Sequence, residues 1–81
     1  MNIYKRKFIA TCPNNGEHIS YELTIETNVK IMVEHIVTAT KIIKSGYHED
    51  IADNLLKTFG GKQILKAHHH EVDIETIRKA P

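Results

Sequence analysis

Apolar residues recur along this chain with two different periods, and the changes between them lay out its elements. From residue 18 to 26, Ile19, Tyr21, Leu23 and Ile25 alternate with His18, Ser20, Glu22, Thr24 and Glu26. That period of two marks a half-buried strand. Residues 3–12 read the same way, with Tyr4, Phe8, Ala10 and Cys12 on one side and Lys5 and Lys7 on the other. Arg6 breaks the apolar side near its start, which points to an edge strand or a snorkelling side chain. Between the strands, Pro13-Asn14-Asn15-Gly16 signals a turn, because Pro presets φ and Asn and Gly accept positive φ. A four-residue loop there sets Cys12 opposite Glu17 and Thr11 opposite His18. It also pairs Ala10 with Ile19, Phe8 with Tyr21, Tyr4 with Ile25 and Lys7 with Glu22. One register therefore matches apolar faces and opposite charges together.

Over residues 28–44 the period lengthens. Val29, Met32, Val33, Ile36, Ala39, Ile42 and Ile43 fall at helical spacing, with Asn28 as N-cap and Gly46 beyond the C-terminus. A second helix is predicted over about 47–59. Ile51, Ala52, Leu55, Leu56 and Phe59 form its stripe, acids sit in its first turn, and Gly60-Gly61 stops it.

Residues 62–78 read as extended. A straight strand of about 15 residues would run ~50 Å, against the ~30 Å breadth of a domain this small. The segment must therefore bend, split or overshoot. With no Gly or Pro nearby for a tight hairpin, a bulge or corner is expected at 67–71, where His68-His69-His70 lies. Strand parity then puts His68 and His70 with Val72 and Ile74, facing the helices. His69 falls on the outer side with Glu71, Asp73 and Glu75.

The predicted fold is α+β in two layers over a single domain, residues 1–81. An antiparallel β-hairpin and a long C-terminal strand pack on a helix hairpin, in the order ββααβ, or ββααββ if the last segment splits. An overshooting strand could pair with a second copy, so a homodimer is expected.

Composition narrows the function classes. Net charge is +1 with neutral histidines, so there is no global field to attract a polyanion, and nucleic-acid binding gains no support. Lys5-Arg6-Lys7, the one basic run, is expected to neighbour the acidic stripe Glu71, Asp73 and Glu75, across the sheet or in a partner subunit. No apolar run exceeds three residues, as in Ile31-Met32-Val33, far short of a membrane span. Met1–Lys7 has no apolar core of a secretory signal. A single cysteine, Cys12, forms no intrachain disulfide, which fits a reducing, cytoplasmic setting. At its strand end Cys12 reads as a small buried residue, on the face opposite to His18.

The candidate chemistry lies in the histidines. A pair at i, i+2 on a strand, such as His68 and His70, binds a transition metal if a third ligand arrives. His35 and His48, on or near the predicted helices, are candidates to complete a ligand-binding or metal site with them. Histidines exposed at a strand bend account for the same pattern without any site. No nucleophile–base dyad and no phosphate-binding loop is present: Gly60-Gly61-Lys62 follows a helix C-terminus, where the dipole repels anions. No catalytic residue or cofactor is assigned, and whether the protein is an enzyme stays open.

The order ββαα plus an extended C-terminal segment resembles the tunnelling-fold family of pterin and purine enzymes. The stretch Ile51–Arg78, an apolar helix followed by a strand ending Val72-Asp73-Ile74-Glu75-Thr76-Ile77-Arg78, is similar to the aldolase branch of that family. The resemblance implies rings built by strand pairing between subunits and a Glu anchoring the heterocycle, a position to which no Glu of this chain is matched. The leading expectation is a small binding or interaction module with no identified catalytic activity. The alternatives are a tunnelling-fold-like oligomeric pterin- or purine-binding enzyme, and a metal-binding protein acting through His68 and His70.

Overall fold

A computed structural model describes residues 1–81 and gives the order ββααββ. Strands β1 (Asn2–Thr11), β2 (His18–Thr27), β3 (Lys62–His69) and β4 (Val72–Lys79) form one antiparallel sheet in sequential order. Helices α1 (Val33–Lys41) and α2 (His48–Phe59) cover one face, so the fold is the expected two-layer α+β.

The first hairpin has the register that its sequence dictates. Tyr4 faces Ile25, Phe8 faces Tyr21, Ala10 faces Ile19 and Lys7 faces Glu22. The Cys12 amide donates to the Glu17 carbonyl at 2.8 Å, and Gly16 takes the positive φ that closes the loop. Leu23 and Leu65 pair across β2 and β3, and with Tyr21, Ile25, Ile36, Ile51, Ala52 and Leu55 they make the buried core. Arg6, on the inner side of edge strand β1, stays half-buried because its Nε donates to Thr40 Oγ1 at 3.0 Å.

Helix α1 is shorter than the 28–44 that its apolar spacing predicts. The Val29 amide donates to Thr27 Oγ1 and the Ile31 amide to the Tyr4 hydroxyl, which holds 28–32 as a connector across the start of β1. Met32, not Asn28, precedes the first turn, and no side chain caps it. Beyond Lys41 the chain returns to β1, where Thr11 exchanges backbone hydrogen bonds with Lys44 and Gly46.

The C-terminal segment splits into β3 and β4, joined by a two-residue turn at His70-Glu71 in place of the expected bulge. Both residues take positive φ, 50° and 64°, as a type I′ hairpin requires. Two strands of eight residues each need only about 26 Å, and the long axis of the molecule is 37 Å. Strands β1 and β4 are opposite edges of the sheet, so Lys5-Arg6-Lys7 does not lie beside the acidic stripe within one chain. Glu75 faces Lys66 instead, in the outer row Lys7, Glu22, Lys66, Glu75 that crosses all four strands. No helix is long and apolar enough to cross a membrane.

Candidate functional site

Antiparallel pairing brings both hairpin turns to one end of the sheet. The linker 42–47 and the first turn of α2 close over that end on the helix side, and most of the titratable side chains of interest collect there.

The two-residue turn reverses the parity expected for the histidines. Ala67 and Leu65 are buried, so His69 shares their inner face, with its side chain 19% exposed. His68 lies on the outer face, 66% exposed, with Nδ1 2.7 Å from Asp73 Oδ1. The expectation that His68 and His70 face the helices while His69 joins the acidic outer face is thus corrected. Its assumption was an unbroken alternation through residues 70 and 71, which the left-handed turn interrupts.

Glu17, from the β1–β2 loop, meets the turn of the neighbouring hairpin. Its Oε2 stands 3.2 Å from His69 Nδ1 and 3.8 Å from His70 Nε2. The two imidazoles lie against each other with centroids 4.1 Å apart. Asn15 holds the loop from both sides: its Oδ1 accepts from the Glu17 amide at 3.0 Å, and its Nδ2 is 2.6 Å from His70 Nε2.

His69 also borders a cleft of about 370 Å³ between the inner sheet face and α2. Cys12, Ile19, Tyr21, Tyr47, His48 and Ile74 are among its walls, and the acids Glu49 and Asp50 stand at its rim. His48 opens α2 and lies 5.6 Å from the Tyr21 ring, centroid to centroid. Both its ring nitrogens are buried and neither makes a hydrogen bond of good geometry, the Leu65 backbone offering at most a weak one. Burial pushes its pKa down, and the Arg78 charge adds to this; the Leu65 backbone and Glu49 oppose it. The imidazole is therefore neutral at pH 7, with an acceptor free and a donor at best weakly engaged by the Leu65 backbone. Burial, then the nearby Cys12, pushes the Tyr21 hydroxyl up, so it too stays protonated. Such a surface binds through apolar contact and neutral hydrogen bonds more than through charge.

Of the four histidines predicted to share a site, only His48 borders this cleft; His70 lies in the adjoining cluster with Glu17. His35 sits elsewhere, on α1, its ring edge-on to Phe59 at 4.7 Å. Cys12 is buried and free, as its strand-end position predicts. The participation of Glu17, Asn15 and His69 escapes sequence reasoning, because it depends on β2 pairing with β3 across the whole helical segment. The adjacent apolar pair Ile64-Leu65 does not say which of the two points inward, and it is the burial of Leu65 that sets the inner parity of β3.

The uncovered sheet face carries a broader concavity of about 750 Å³, lined in part by Lys7, Glu22, Lys66, His68, Asp73 and Glu75. Its charges alternate in sign from strand to strand, which offers neither a polyanion nor a polycation a continuous field. Comparison with known proteins finds no matching family model, no matching curated protein and no matching solved structure.

Proposed function

We propose that this chain is a small-molecule binding module that takes its ligand into the cleft beside the first turn of α2. The observation that carries this reading is His48: two ring nitrogens, buried, without a well-formed hydrogen bond and bordering a cleft of about 370 Å³. Unpaired buried polar atoms are costly, and a ligand offering a donor and an acceptor would satisfy them. The volume lies within the range of small-molecule sites. No reaction is assigned. The reduced, buried Cys12 is in keeping with a cytoplasmic setting.

A fragment screen read by amide chemical shifts tests this. Hits are expected to move residues 12, 19, 21, 46–50, 67, 69 and 74, and His48→Phe should weaken the polar hits. Hits confined to the outer sheet face, or none at all, would discard the reading.

A second reading is a tunnelling-fold-like oligomer that binds a pterin or purine. It is favoured by the ββααββ order and by the two free edges, β1 bearing Lys5 and Lys7 and β4 bearing Asp73 and Glu75. Opposite charges on opposite edges favour pairing between copies. Light scattering on tag-free protein decides it, since a strict monomer has no site between subunits.

A further inference from the structure

We propose that Glu17, His69 and His70 form a site for one divalent transition-metal ion. One donor atom from each residue lies within 4.8 Å of the other two. Of these distances, Glu17–His69 matches the spacing of two ligands on one ion and Glu17–His70 is somewhat longer. Two ligands of one tetrahedral zinc ion, each ~2.0–2.1 Å from the metal, are about 3.3 Å apart. Glu17 Oε2 and His69 Nδ1 stand at 3.2 Å, and Glu17 Oε2 and His70 Nε2 at 3.8 Å. A charge-assisted hydrogen bond would close to about 2.7–2.9 Å. His68 and Asp73, on the same hairpin, do close to 2.7 Å.

Asn15 prepares one donor. Its Oδ1 accepts from the Glu17 amide, so its NH₂ group faces His70. An amide donating to Nε2 selects the tautomer with a lone pair on that nitrogen, the form a metal requires. Metal binding at Nε2 then displaces the Asn15 contact. The backbone supplies a second observation. A two-residue hairpin of this kind favours Asn-Gly, yet here His70 and Glu71 both occupy the left-handed region. Residues held in a disfavoured backbone conformation cluster at functional sites, and His70 is one of the proposed ligands.

Two imidazoles and one carboxylate suit zinc, nickel, copper(II) or iron(II), and do not suit magnesium or calcium, which prefer oxygen ligands. Three protein ligands leave a coordination position open. His69 belongs both to the cluster and to the cleft wall, while Glu17, His69 and His70 together line a separate polar concavity.

The test is calorimetric titration of the full chain, expressed without a histidine tag, with zinc chloride, and with cobalt(II) as a spectroscopic probe. One ion per chain is expected. His69→Ala, His70→Ala and the conservative Glu17→Gln should each weaken binding by at least the roughly 10- to 100-fold typical of lost supporting residues. His68→Ala should leave affinity and stoichiometry unchanged. Circular dichroism of each variant separates ligand loss from unfolding, and Glu17→Gln, at an exposed loop position, spares the core. No uptake by the wild-type chain overturns the proposal. So does uptake abolished by His68→Ala and retained in His69→Ala, which would return the site to the outer face.

Discussion

The Glu17 carboxylate lies 3.2 Å from Nδ1 of His69, so the loop of the first hairpin touches the last residue of β3. Because β2 pairs with β3, the two hairpins stand side by side and their turns form one rim. Contacts along that rim couple an exposed loop to a strained turn, and any ligand bound there links the two hairpins.

The turn itself should be unfavourable. A non-glycine residue in the left-handed region costs roughly 1–2 kcal/mol, and Asn or Gly relieves much of it. We predict that Glu71→Gly raises the unfolding free energy by about 1 kcal/mol. The double change His70→Asn with Glu71→Gly should raise it further while removing zinc uptake. Urea unfolding checks the first statement, and a variant no more stable than wild type would refute it.

The first hairpin was legible because two independent patterns, apolar side and charge, demanded one register. Helix α2 was legible because Gly60-Gly61 ends it and acids begin it. Helix α1 is shorter than its apolar spacing predicts, since Val29 and Met32 keep helical spacing even though Thr27 and Tyr4 hold the Val29 and Ile31 amides in a connector. The histidine faces were read in reverse because the turn uses His and Glu where the pattern of turn residues looks for Gly. Both errors come from tertiary contacts or strain overriding local preference, which no window of neighbouring residues displays.

Gln63 performs a task its sequence position does not advertise. It is 3% exposed, and its amide donates to the carbonyls of Leu55 and Gly60 at 3.1 and 2.8 Å. It thereby ties the C-terminal end of α2 to β3 and gives the Gly60 carbonyl, beyond the last helical residue, a donor. Gln63→Leu keeps the bulk and removes the donors. Leaving the Gly60 acceptor unpaired costs about 1–3 kcal/mol, partly offset because the Gln63 Oε1 is itself buried without a partner, so we expect a loss of about 1 kcal/mol by denaturant unfolding. An unchanged midpoint would mean that water or relaxation satisfies those carbonyls.

Gly61 has a φ of +70°, and a Cβ there would come within 2.6 Å of the Glu26 carbonyl oxygen. Backbone cannot yield as a flexible side chain would. Gly61→Ala should therefore cost more than the roughly 1–3 kcal/mol of the conformational penalty alone. Gly16, with φ +73° and open space around it, should lose only that penalty as Gly16→Ala. Comparing the two by thermal unfolding isolates the steric part, and equal losses would show that the Glu26 contact is not felt.

His48 gives the fold a pH dependence whose sign is fixed by burial. Its folded pKa lies below the ordinary value near 6.5, chiefly because burial disfavours the charged ring. Below about pH 6.5 the unfolded chain takes up a proton that the folded chain resists. The unfolded state then binds more protons, so stability is full above that pH. It falls as the solution is acidified from there towards the folded pKa. Carboxylates also titrate in acid, so the difference between wild type and His48→Phe is the proper measurement. Phenylalanine preserves a ring against Tyr21 and removes both buried ring nitrogens. The variant should gain on wild type steadily from pH 7 to pH 5 in urea unfolding. Parallel curves for the two proteins would show that the His48 ring is solvated well enough to charge in place.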